Sequence, residues 1–128
     1  MLKANILLDT GLGFTQNSEP LIYKSLAKEN VLPTQITKIL ISHLHKDHIG
    51  GIGHFKNNSF RVNFPNASIY IQNRELDFAL TQWDNPSYNY KIVKELARLT
   101  NVIRLNDNFG KITDEITYEV SGGHTPYH

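Results

Sequence analysis

An α/β fold is the architecture this sequence predicts, and three observations lead to it. Short apolar runs suited to buried strands alternate with stretches whose apolar residues recur at helical spacing. Turn-forming residues separate them at Asp9-Thr10-Gly11, Asn57-Asn58-Ser59 and Asp84-Asn85-Pro86-Ser87. The 128 residues are 40% hydrophobic and 20% charged, which suits one globular domain with a real core.

Taken in order, residues 4–8 form an apolar strand that ends at the Asp9-Thr10-Gly11 turn. Ser18 or Glu19 then starts a helix with Pro20 in its first turn, where a missing N–H does no harm. Leu21, Ile22, Leu26 and Val31 give that helix its apolar stripe. Residues 38–42 read as a buried strand, because Ile39, Leu40 and Ile41 leave no polar face. A second strand spans residues 67–72, followed by a helix over 73–83 with Asn73 as its N-cap. Residues 90–99 form a helix with Ile92, Val93, Leu96 and Leu99 on one side. Strands at 102–105 and 115–120 complete the chain, the latter alternating Ile116, Tyr118 and Val120.

Composition excludes several chemistries. The chain has no cysteine, so disulfides, Cys-ligated zinc, Fe–S clusters and a Cys nucleophile are out. Thirteen basic against twelve acidic residues give a net charge of +1, with no general pull towards nucleic acid or an anionic membrane. The opening Met1-Leu2-Lys3-Ala4-Asn5 lacks the basic start and apolar run of a signal peptide. No stretch approaches the roughly 18 apolar residues of a membrane span. The expectation is a cytoplasmic protein, with no nucleic-acid or membrane partner.

The strongest local signal is His43-Leu44-His45-Lys46-Asp47-His48, directly after a buried strand. In extended backbone, residues two apart face the same way, so His43 and His45 can aim at one point. Asp47 and His48 follow where the chain must turn. Imidazole and carboxylate together are the ligand set of hydrolytic zinc, with manganese and ferrous iron as competitors. A single histidine here would read as a solvated loop residue, but three with an aspartate crowd charge together unless something binds them. His124, in Gly123-His124-Thr125-Pro126, offers a third imidazole at another strand end, completing the three protein ligands of a catalytic zinc. Gly50-Gly51 reads either as a close backbone approach or as a flexible turn.

His43-Leu44-His45-Lys46-Asp47-His48-Ile49-Gly50-Gly51 resembles the HxHxDHxGG motif of the metallo-β-lactamase superfamily. Leu7-Leu8-Asp9-Thr10-Gly11 looks like the strand and turn that precede that motif, and Gly123-His124-Thr125-Pro126-Tyr127-His128 is similar to the later GHTPGH segment. The resemblance implies half of an αβ/βα sandwich, a mixed sheet with helices on its outer face. It also implies that His43, His45 and His124 bind a first metal, and Asp47 and His48 a second. Asp9 would lie beneath the site and orient ligands, although an Asx-turn holding a tight loop explains it equally well. Tyr127 departs from the family's glycine, which predicts a backbone less free to bend after His124. The family's bridging aspartate and last histidine lie downstream of the third histidine, and further strands precede the Asp-Thr-Gly turn. On this resemblance, residues 1–128 form a single domain shortened at both ends.

The function implied is zinc-dependent hydrolysis, with one or two ions, of a small-molecule ester, lactone or thioester. Zinc lowers the pKa of a bound water to about 7 and so presents hydroxide to an electrophilic centre. Asp47 is the candidate catalytic carboxylate, orienting that nucleophile or passing a proton. The run Phe64-Pro65-Asn66-Ala67-Ser68-Ile69-Tyr70-Ile71-Gln72-Asn73-Arg74-Glu75-Leu76 looks most like lactonase-type members, including acyl-homoserine lactone hydrolases. Thioesterase-type members similar to glyoxalase II stay open, whereas RNA-processing members lack support in the charge balance. Trp83, Tyr88 and Tyr90 read as packing residues, with an acyl pocket as the alternative. Two other readings stand beside the enzyme: metal binding without turnover, and a homo-oligomeric assembly unit pairing through an open sheet edge.

Overall fold

The computed structural model of the chain describes residues 4–128. Met1, Leu2 and Lys3, part of the stretch read for a leader, lie outside the described residues. The strands and helices in chain order are β1 (Asn5–Leu8), β2 (Thr15–Gln16), β3 (Glu19–Pro20), α1 (Leu21–Lys28), β4 (Ile36–Leu40) and α2 (Lys46–Ile49). After them come β5 (Gly53–Lys56), β6 (Ser59–Val62), β7 (Ser68–Gln72), α3 (Asn73–Ala79) and α4 (Tyr90–Arg98). The last three are β8 (Val102–Leu105), β9 (Phe109–Thr113) and β10 (Ile116–Glu119).

A four-stranded sheet of order β1-β4-β7-β8, parallel at every pairing, forms the frame. Parallel neighbours need crossovers, and α1, the α2 to β6 segment, and the α3–α4 pair supply them. Because every strand runs the same way, the segments that follow β1, β4 and β7 emerge at one edge. Among the described residues, antiparallel pairing is confined to three hairpins, β2–β3, β5–β6 and β9–β10.

Ile39, Ile69 and Ile71 on one face of the sheet share a buried cluster with Leu76, Ala79, Ile92, Val93 and Leu96 from α3 and α4. The helical stripe expected for residues 90–99 is therefore the core face of α4, which Asn89 caps by accepting the Ile92 N–H. The opposite face is only partly covered. There the β9–β10 hairpin encloses a cavity of about 300 Å³ lined by Leu8, Leu40, Tyr70, Leu105 and Tyr118. Leu8 remains 71% exposed. No helix among the described residues is long and apolar enough to cross a membrane.

Several boundaries differ from expectation for local reasons. The first helix starts at Leu21, with Pro20 at its N-cap, because Glu19–Pro20 is taken into pairing with Thr15–Gln16. α3 ends at Ala79 rather than at residue 83, since Thr81 and Gln82 donate three residues back, to Phe78 and Ala79. Its cap is Gln72, whose side chain accepts the Arg74 N–H, and not Asn73. The Asn57-Asn58-Ser59 loop is the turn of a hairpin, both asparagines lying at positive φ (52° and 62°) as a tight two-residue turn requires. The strand after residue 114 is Ile116–Glu119 and pairs with β9, a strand the sequence reading had missed.

Two glycines decide how closely the β1 and β4 loops approach. Thr10 N donates to His48 O at 2.7 Å and Gly50 N to Gly11 O at 2.8 Å, so the two backbones are bonded directly. A Cβ on Gly50 would lie 2.1 Å from Leu12 O, and one on Gly51 would lie 2.2 Å from Thr10 O. The close-approach reading of this pair holds, and the flexible-turn reading does not. Gly51→Ala is expected to destabilise the chain by about 1–3 kcal/mol, because backbone rather than a movable side chain must yield. A denaturant midpoint equal to that of the unaltered protein would contradict this packing.

Candidate metal centre

The cluster is built where the parallel strands end. β1 runs into Asp9, whose φ of 54° is a left-handed conformation that Asp tolerates better than most residues. β4 runs into Ser42, and the turn His43 to His45 leads into α2. The two histidines thus stand in a loop, not on extended strand, and their rings lie 4.8 Å apart and nearly perpendicular. β10 leads through Gly122 and Gly123, both at positive φ, to His124.

Asp9 organises the first two loops. Its carboxylate accepts the Ser42 N–H at 2.7 Å, the Ser42 hydroxyl at 2.6 Å and His48 Nδ1 at 2.8 Å. These bonds cross to other segments, so Asp9 ties two loops together and does more than close its own turn. Ser42 Oγ has one proton, which goes to Asp9, so it accepts from His43 Nδ1 at 3.0 Å. This assigns the Nδ1–H tautomer to His43 and leaves a lone pair on Nε2. The same logic applied to His48 leaves its Nε2 free, 3.6 Å from Asp47 Oδ2.

His43 Nε2 is buried and has no hydrogen-bond partner among the described residues. A buried acceptor without a donor is costly, and a cation is what that lone pair suits. His45 Nδ1 and His124 Nε2 face each other at 3.1 Å. One nitrogen from each of His43, His45 and His124 lies within 4.8 Å of the other two. In a tetrahedral zinc site the ligating nitrogens stand about 3.3 Å apart, so the three residues fit that ion with small adjustments.

Burial is the largest cause of a His43 pKa lowered to about 4, and the nearby imidazoles of His48, His45 and His124 add to it, against Asp9. Burial also lowers His45, with His124 reinforcing it. Both rings are therefore neutral at pH 7, the form that donates a lone pair.

The structure brings His43, His45 and His124 together, with Asp47 and His48 beside them and Asp9 beneath. Asp47 is 62% exposed and His124 is exposed as well, whereas His43 is buried. Ser42 escaped the sequence reading although it relays Asp9 to His43. His128 was also passed over, yet its ring centroid lies 6.1 Å from that of His43. The remaining histidine, His54, is elsewhere, bonded to Asn63 Oδ1 at 2.6 Å. Trp83 is 71% exposed and so does not take the packing role expected of it, whereas Tyr88 is buried with its ring 4.9 Å from that of His45. Tyr127 takes no positive φ, so its side chain imposes no left-handed strain on the backbone there.

Fold and cluster together define an α/β protein in which His43, His45 and His124 gather beyond the strand ends. The chain belongs to the metallo-β-lactamase superfamily, whose model matches residues 3–128. It is 26% identical to the Rattus norvegicus metallo-beta-lactamase domain-containing protein 1 over 92% of its own length, and 25% identical to the Mus musculus protein of that name. It spans about half the length of these curated relatives, 51% and 50%. Among solved structures it is similar to AidC, a dizinc quorum-quenching lactonase, with a TM-score of 0.72 and 31% identity; the match covers 95% of this chain and 46% of that one. A probable metal-dependent hydrolase from Staphylococcus aureus shares the fold, with a TM-score of 0.72 at 22% identity over 98% of this chain and 48% of the other.

The depressed His43 pKa sets a sign for stability in the metal-free chain. A folded-state value of about 4, against 6.5 for the free group, means the unfolded chain binds the proton more readily between those values. Its contribution is complete above pH 6.5 and is lost as the pH falls towards 4. Melting curves of chelator-treated protein should therefore shift to lower temperature across that interval, and His43→Gln should lessen the shift. A His43→Gln profile as steep as that of the unaltered chain would refute the assignment.

Proposed function

We propose that this chain supplies the metal-binding half of a zinc-dependent hydrolase acting on a small lactone, ester or thioester. The observation that carries the proposal is the chain of hydrogen bonds from Asp9 through Ser42 to His43, which leaves a buried Nε2 lone pair with no donor. His43, His45 and His124 would hold the first ion, and Asp47 with His48 a second; manganese or iron are the competitors. When bound, zinc lowers the pKa of a water to about 7 and polarises a substrate carbonyl.

The chain's own residues then have distinct tasks. Asp9 holds the His48 imidazole directly and the His43 imidazole through Ser42, keeping the far nitrogen of each ring available. Asp47, exposed beside His48, would accept a proton at Oδ2 from the nucleophile or deliver one to a leaving oxygen or sulfur. A lactone is favoured among the substrates because AidC, at 31% identity, is a dizinc lactonase. The curated relatives are twice as long, so turnover belongs to the proposal for the whole protein.

The test combines metal analysis with hydrolysis of a panel containing an acyl-homoserine lactone and a thioester. Stoichiometric zinc on this chain is the expected result, with lactone turnover the expectation for the whole protein. Zinc without turnover would reduce the chain to a metal-binding unit, and no zinc at pH 7 would sink the reading. Asp9→Ala should lower zinc affinity about 10–100-fold in a chelator competition, since it frees two ligand rings at once.

A further inference from the structure

The third histidine lies outside regular structure, so something else must set its position. Residues 121–128 close partly on themselves, with Ser121 N and Gly122 N donating to His128 O at 3.0 and 3.3 Å. Their remaining anchors come from the first turn of α3, far away in sequence. Glu75 Oε2 accepts the Tyr127 N–H at 3.2 Å across 52 residues. Arg74 lays its guanidinium over the Tyr127 ring, 4.9 Å from the centroid. The same turn grips the β8–β9 connection, through Gln72 Nε2 to Asp107 O at 2.9 Å and Arg74 Nη2 to Asn108 Oδ1 at 2.6 Å. Asn108 O in turn accepts the Val120 N–H at 2.7 Å, where β10 gives way to the histidine loop.

Glu75 is the unexpected member of this set. It is 1% exposed, and its Oε1 has no hydrogen-bond partner among the described residues. A carboxylate so placed is a poor choice for packing alone, because burying the group is costly and half of it is unsatisfied.

We propose that Glu75 is a positioning residue for the metal centre: by holding the Tyr127 N–H it sets how far His124 stands from His43 and His45. This rests on the reading of those three histidines as ligands. Tyr127 follows His124 by three residues, so fixing its amide fixes the loop that presents the ring. Arg74 over the Tyr127 side chain secures the same residue from the other direction.

The experiment measures zinc affinity by chelator competition for the unaltered chain, Glu75→Gln and Glu75→Asp, with circular dichroism and melting of each metal-free protein beside it. Glu75→Gln keeps an acceptor at the same reach and should bind zinc within about threefold of the unaltered chain, whereas the shorter Glu75→Asp should lose about 10–100-fold. Glu75→Asp binding as tightly as the unaltered protein, or Glu75→Gln losing as much as Glu75→Asp, would overturn the proposal. Amide exchange of the unaltered protein covers the case of a variant that fails to fold. A Tyr127 amide exchanging as fast as an open loop overturns the role, and slow exchange supports it. Absence of zinc binding by the unaltered chain would overturn the metal reading and this role together, whereas normal zinc binding with an indifferent Glu75→Asp removes only the role.

Discussion

The Asp9 carboxylate is the constraint on which the arrangement at the strand ends depends. It stands where β1 finishes and binds Ser42, two residues beyond β4, through both Ser42 N and Ser42 Oγ. It also takes the inner nitrogen of His48. One anion therefore fixes the register between two loops and the tautomers of two imidazoles. Those imidazoles are the tightest pair in the cluster, the His43 and His48 rings being 3.9 Å apart. Tethered through Asp9, both rings keep Nδ1 engaged and leave Nε2 available.

The glycine contacts serve the same constraint from the backbone side. Thr10 caps His48 O with its amide at 2.7 Å and its hydroxyl at 2.9 Å, which is feasible only if the Asp9 loop lies against the α2 turn. Gly50 and Gly51 permit that contact, since a Cβ on either would strike a carbonyl oxygen of the facing loop. Polar anchoring and steric permission act on the same few residues. A change in either bears on the histidines, because only the short helix α2 separates the Ser42–His45 loop from Gly50 and Gly51.

What the sequence revealed follows the physics of each signal. Parallel strands buried on one or both faces announce themselves as apolar runs, so residues 4–8, 67–72 and 102–105 were legible to within a residue or two. The helix of Ile92, Val93 and Leu96 was equally plain from its period. Two short hairpins were not, since β5–β6 turns on Asn57-Asn58 without glycine and β2–β3 has two residues a side. In the site, the clustered histidines could be read from spacing, and His124 from its place after a strand. Glu75 could not, because a glutamate in the first turn of a helix normally faces solvent and favours the dipole. Only the tertiary fold, bringing residue 127 over α3, buries it. Ser42 was silent for a related reason, its role arising from a tautomer chain that no single residue displays.

The two halves of the proposed ligand set are held with unequal firmness, and this bears on how far metal binding and hydrolysis go together. His43 is fixed through Ser42, and the loop of His124 is braced by Glu75 and Arg74, so the first site is largely pre-arranged. His48 is fixed by Asp9, but its neighbour Asp47 projects outward, 62% exposed and 3.6 Å from His48 Nε2. A carboxylate that loosely held gives up side-chain entropy when it binds an ion, whereas the first set gives up little. The same freedom suits a group that must carry a proton between nucleophile and leaving group. In the proposed reading, service as a proton carrier and service as a ligand compete for the one Asp47 side chain.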